Sequence, residues 1–100
     1  MVRIYDAAFA AATGTQHQHL GTFWWIDDQG NQGQWTRTEA HTFVANHQRG
    51  YVYVKEGSAK VTVRAYHNST TVWIQTEADG TTRDNLTELA ERHRRGQVNN

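Results

Sequence analysis

The 100-residue chain contains no cysteine and no proline. Without cysteine there are no disulfides, no thiolate zinc sites, no iron–sulfur clusters and no thiol catalysis. Serine is scarce: Ser58 and Ser69 are the only two. No Gly-x-Ser-x-Gly elbow, phosphate-binding loop or dinucleotide fingerprint occurs, so no nucleophile, base and orienter can be assembled. Long apolar runs are missing too. The longest near the start, Ala7 to Ala12, is preceded only by Arg3 and interrupted upstream by Asp6. A secretory h-region needs about 7–15 apolar residues behind a positive segment, and a membrane span needs about 20. The expectation is a cytoplasmic chain without membrane contact, in which the sequons at Asn68 and Asn85 are chance. Net charge is the last absence, with ten Lys and Arg against ten Asp and Glu. Neutrality argues against strong non-specific binding to nucleic acid and permits self-association.

What is present is aromatic. Four Trp, four Tyr and three Phe accompany a mean hydropathy of −0.81. Each ring buries a large area, so a thin core is feasible in a chain this short. Low hydropathy without net charge does not describe a disordered chain. The charges are unevenly spread: residues 1–36 carry a net −2, residues 37–66 a net +3 and residues 67–100 a net −1.

Alternation at Val2–Tyr5 predicts a short strand, and Ala10 to Gln18 a loop. Leu20 to Ile26, with Phe23, Trp24 and Trp25, predicts a second strand. Asp27 to Gly33 is dense in turn formers, and Gln34-Trp35 could form a short return strand. Thr36 and Glu39 fit a capping box, with Trp35 and Ala40 at the staple positions. Ala40, Phe43, Val44 and His47 then mark a helix over about 37–48, stopped by Gly50. Tyr51–Lys55, Ala59–Tyr66 and Thr71–Glu77 alternate and are separated at hairpin lengths, which predicts an antiparallel meander. Ala78-Asp79-Gly80 is a further turn. Asp84 or Asn85 would cap a last helix over about 86–95, supported by Glu88/Arg92 and Glu91/Arg95.

The expected architecture is one α+β domain over 1–96, with a frayed tail at 97–100. Its antiparallel sheet has about five strands in the order strand-strand-helix-strand-strand-strand. One helix packs on it and a short helix closes the chain. Period two sorts the meander into faces. Val52, Val54, Val61, Val63, Val72 and Ile74 share the inner one. Tyr51, Tyr53, Lys55, Lys60, Thr62, Arg64, Tyr66, Thr71, Trp73 and Gln75 share the outer one.

The series His19-Leu20-Gly21, Trp25-Ile26-Asp27, Thr36-Arg37-Thr38-Glu39, Tyr51-Val52-Tyr53-Val54-Lys55, Val61-Thr62-Val63, Thr76-Glu77-Ala78-Asp79-Gly80 and Asp84-Asn85-Leu86 resembles a family of small bacterial proteins catalogued as domain of unknown function 3892. The resemblance covers roughly residues 2–89. Its most specific part is the Thr-x-x-Asp-Gly turn followed by Asp-Asn-Leu. Where such proteins commonly continue with Leu and a Leu-Pro pair, this chain has Thr87-Glu88-Leu89-Ala90. The resemblance implies a fold and no activity.

The candidate binding residues are Tyr51, Tyr53, Lys55, Lys60, Arg64, Tyr66 and Trp73 on the outer face. Rings interleaved with bases can stack nucleobases and meet phosphates. The competing reading is cross-strand pairing, with Lys and Arg stems over the rings, or cover by the last helix or a second protomer. His17 and His19 are the one histidine pair close in sequence, and two imidazoles fall short of a zinc site. Asp27 and Asp28 read as turn residues rather than a carboxylate dyad. Arg92, Arg94 and Arg95 suit the end of a docking helix, with a basic nucleic-acid arm as the sharper alternative. The expected function is a non-catalytic interaction module without metal or cofactor, contacting protein or itself as a homodimer. The rival is single-stranded nucleic-acid binding through the same face.

Overall fold

The computed structural model describes residues 1–11, 17–77 and 85–96, apart from the side chains of His17, Glu56 and Asn85. Among the described residues are six strands and two helices: β1 (Val2–Phe9), β2 (Leu20–Asp27), β3 (Gln32–Thr36), α1 (Arg37–Ala45), β4 (Val52–Glu56), β5 (Ala59–His67), β6 (Val72–Thr76) and α2 (Asn85–Arg94). A single 3₁₀ turn, His17–His19, precedes β2. The fold is α+β, as expected. The sheet differs from expectation in two respects: it has six strands, and it is mixed rather than antiparallel. Its order is β3-β2-β1-β4-β5-β6.

The mixed character has one source. β1 pairs antiparallel with β2 on one side and parallel with β4 on the other, through Val2 with Val52 and Arg3 with Tyr53. Two antiparallel hairpin steps carry the chain from β1 to β3. α1 then carries it across the sheet, and β4 returns beside β1 in the same direction. A parallel neighbour needs such a crossover, and the α1 segment is long enough to make one. Only pairing partners distant in sequence reveal this, so alternation within each strand could not. The β4–β5–β6 meander is antiparallel, as expected.

β1 is longer than its alternating start because it contains a bulge. Ile4 faces Trp25 and Asp6 faces Trp24, so Tyr5 is the extra residue. The bulge shifts parity, and Asp6 and Ala7 are both buried. α1 begins where the capping box predicts. Glu39 N donates to Thr36 Oγ1 at 3.1 Å, and Thr36 N donates to Glu39 Oε1 at 2.8 Å. The helix ends at Ala45, earlier than the stripe through His47 suggested. Gly50, at φ +88°, turns the chain towards β4.

The core joins both helices to the sheet. Phe23, Ile4, Leu20, Ile74, Leu86 and Val52 are its largest fully buried side chains. The inner-face assignment holds: Val52, Val54, Val61, Val63 and Ile74 are buried, and Val72 is half-buried. α2 lies mainly along β1 and brings in Leu86, Leu89 and Ala90, as expected of a docking helix. Glu88–Arg92 (3.2 Å) and Glu91–Arg95 (3.8 Å) form along it. The turn at 78–80, an Asp84 or Asn85 cap and the tail at 97–100 lie outside what is described. No described helix is long and apolar enough to cross a membrane.

Candidate functional site

The outer face of β4–β6 carries the residues that the sequence offers for binding, Tyr51 apart. These residues pair across the strands, with Tyr53 opposite Thr62, Lys55 opposite Lys60, Arg64 opposite Gln75 and Tyr66 opposite Trp73. The expected wet rings are not there. Tyr53 is 9% and Trp73 8% exposed. Lys60 Nζ sits 4.7 Å from the Tyr53 ring centroid. This is a cation–π contact, with the ammonium over the ring face. Trp73 donates from Nε1 to Gln75 Oε1 at 2.9 Å and lies nearly parallel to Tyr66, centroids 6.2 Å apart. Lys55, Lys60 and Arg64 are exposed and Tyr66 is half-buried. Arg64 Nε lies 3.8 Å from Glu77 Oε2.

Tyr51 leaves that face altogether. It precedes β4, in a bend behind Gly50, so period two does not govern it. Its backbone N donates to Gln48 O and its O accepts from Val2 N. Its ring turns to α1, 4.6 Å from His47 and 6.1 Å from Phe43.

That displacement completes a ladder of five rings. Trp25 of β2 and Trp35 of β3 stack at 5.4 Å. They lie on one sheet face because Trp35 opposes Phe23 and Trp25 is two residues beyond Phe23. Trp35 meets Phe43 of α1 at 4.6 Å. Phe43 stacks on His47 at 3.9 Å, and His47 on Tyr51. His47 Nδ1 lies 2.7 Å from Phe43 O, which fixes the imidazole between its neighbours. Trp25, Trp35, Phe43 and Tyr51 are half-buried and His47 is exposed. Together they line a groove of about 410 Å³ whose rim carries Met1, Asp27, Asp28 and Gln29.

Gly33 seats the Trp25 ring. A Cβ there would lie 2.6 Å from Trp25 Cζ2, so a side chain at 33 would push the indole out of place. Trp25 Nε1 is buried without a hydrogen-bond partner, an orphan donor beside the groove.

The carboxylates at the rim come from the β2–β3 turn. Asp27 Oδ1 accepts from Gln29 N and Asn31 N, both at 2.9 Å, and Oδ2 accepts from Asn31 Nδ2 at 3.1 Å. Partial burial works to raise the Asp27 pKa. The Asn31 side chain and the Asn31 and Gln29 backbone outweigh it, leaving the group below the ordinary carboxylate value. Asp28 holds the Met1 ammonium at 2.9 Å. Asp27 is thus the turn residue that its neighbours suggested, and also a fixed negative charge on the same face as Trp25.

Two clusters went unnoticed in the sequence. Asp6, 5% exposed on the bulge, accepts from Ala7 N and lies 3.1 Å from His93 Nδ1. His93 also stacks on Trp24 at 5.1 Å, so α2 is docked through a polar contact as well as leucines. Arg49 holds Glu77 with two hydrogen bonds, that from Nε being 2.6 Å long, and ties the loop after α1 to the end of β6. Those bonds from Arg49, with its charge and that of Arg64, keep Glu77 below its ordinary value despite partial burial. Nothing in the sequence pairs residues 28 or 87 apart.

The remaining candidates disperse. His17 lies at the edge of the described residues, and His19 is exposed. No group of three or more His, Asp or Glu among the described residues could hold a metal ion. Ser58 and Ser69 are exposed in turns. Of the terminal arginines, Arg92 and Arg95 pair with Glu88 and Glu91, and Arg94 lies over Phe9 at 4.3 Å.

No curated protein and no solved structure matches the chain. The sequence model of the family described as "Protein of unknown function (DUF3892)" matches residues 4–90. That span takes in every strand from Ile4 onward, the whole ring ladder and most of α2, so the chain belongs to this family.

Proposed function

We propose that this protein is a non-catalytic interaction module that contacts another protein through the ring groove of β2, β3, α1 and Tyr51. The observation that carries this reading is the ladder itself. Five rings in stacked and tilted contact, from four separate segments, stay partly open around about 410 Å³, within the range of built ligand sites. Aromatic side chains in a concave setting are the usual anchors of protein contacts. A core needing only burial would have closed over them, as it closes over Phe23. The outer face of the meander contributes less, because two of its rings are already covered.

The four indole N–H signals of a ¹⁵N-labelled sample separate the two surfaces. A pool of random 12-residue peptides is expected to shift Trp25 and Trp35 and leave Trp73 in place. A single-stranded oligonucleotide at low salt is expected to move none of them. Movement of Trp73 by the oligonucleotide, with Trp25 and Trp35 unmoved by peptides, would overturn the reading in favour of nucleic-acid binding at the outer face.

A further inference from the structure

We infer that the groove receives a cationic side chain, arginine or lysine, presented by a peptide segment of the partner protein. The inference rests on the groove being the contact surface, and it adds the chemistry of the occupant. Three observations converge. Trp25, Trp35, Phe43 and Tyr51 line the walls, and aromatic faces carry negative potential. Cations over Trp and Tyr are attracted by that potential. The rim carries Asp27, which the turn keeps ionised. Its two oxygens offer four acceptor positions, of which Gln29 and Asn31 fill three, so one remains for an incoming N–H. Finally, the first 36 residues, which supply the rim and both Trp residues, carry three acids and one base. An anionic ligand would meet repulsion at the ring faces and at Asp27, and the Met1 ammonium on the rim is already held by Asp28.

A planar guanidinium suits the site better than a compact ammonium. It can lie flat on an indole while its N–H groups, directed outward in the guanidinium's own plane, reach a carboxylate at the ring's edge. A groove of this size has room for one such side chain and part of its backbone. The nearby cleft of about 270 Å³ is lined by His47, Gln48, Arg49 and Arg64, and its two arginines share the one carboxylate of Glu77 and leave a net positive charge. Acidic flanking residues on the same peptide would find cations there, because His47 borders both clefts.

The test titrates the full chain with acetyl-Gly-Gly-Arg-Gly-Gly-amide and with the same peptide carrying citrulline, which keeps the shape and removes the charge. The readout is the Trp35 indole shift. The arginine peptide is expected to bind about ten-fold more tightly than the citrulline one. Raising the salt should narrow that gap. Asp27→Asn is expected to weaken the arginine peptide about three- to ten-fold and leave the citrulline peptide unchanged. Because Asp27→Asn also touches the turn, Asp28→Asn is run beside it. That variant leaves the turn hydrogen bonds intact, and a loss for arginine alone in it supports the inference as well. Equal affinity for the two peptides at Trp35 overturns the cationic occupant while leaving the groove as a contact surface. Choline binding as tightly as the arginine peptide would overturn the peptide assignment in favour of a small quaternary ammonium. Shifts confined to Trp73 would overturn the groove itself.

Discussion

Tyr53 and Trp73 on the outer side of the meander, and Trp25, Trp35 and Phe43 on the α1 side, are rings of the same kind that end in different surroundings. The outer rings stand in regular strands with long neighbours directly opposite or diagonal. Lys60 folds over Tyr53, and Gln75 and Tyr66 engage Trp73. The groove rings come from two strands, a helix and a bend, and meet one another in stacked and tilted contacts that leave them half-buried around the groove. An aromatic stripe on a single sheet face therefore tends to cover itself. A contact surface arises more readily where rings from several segments meet around a gap.

Four perturbations would break or sharpen this contrast. Trp73→Ala is expected to have the largest effect, a loss of about 3–5 kcal/mol in urea unfolding, as for other buried large rings. A loss below about 1 kcal/mol, the level of an ordinary surface change, would put that ring in water and erase the contrast. Gly33→Ala comes next, at about 1–3 kcal/mol, because the new Cβ would overlap the Trp25 ring. Its Trp25 indole signal should move furthest of the four. An unchanged spectrum would mean that the ladder is not seated on Gly33. Thr36→Ala removes the cap that starts α1 and is expected to cost about 1 kcal/mol, read as a shift in thermal midpoint.

The smallest effect concerns pH. Glu77 is held below its ordinary value of about 4.5 when folded, so its contribution is complete above that value. It is lost as the pH falls through the lowered value. The thermal midpoint should therefore drop more steeply below pH 4.5 in the parent chain than in Glu77→Gln. Identical acid limbs would show that the Arg49 contact does not persist in solution.

Much of the fold was legible. Thr36 and Glu39 announced the start of α1, and the valines of β4 and β5 announced their inner face, because both signals are local and periodic. The sheet's mixed pairing was not legible, and β3 showed only in part, as the short return at Gln34-Trp35. Gln32–Thr36 is too short to show alternation, and β1 meets β4 only after fifty residues. The site was legible residue by residue but not as a site. In the sequence, Trp25, Trp35, Phe43, His47 and Tyr51 each belong to a strand, a staple, a stripe or a face. Their convergence depends on the crossover of α1 and on the bend at Tyr51. Neither leaves a periodic trace. Asp6 was missed for a related reason: a bulge, not alternation, buries it.

Hydroxyl-radical footprinting read by mass spectrometry, with and without the arginine peptide, tests the central claim most directly. The expected result is labelling of Trp35 and Tyr51 in the free protein, protection of both when the peptide is present, and little labelling of Tyr53 or Trp73 in either state. Strong labelling of Tyr53 and Trp73 that the peptide suppresses, with Trp35 and Tyr51 unaffected, would contradict it.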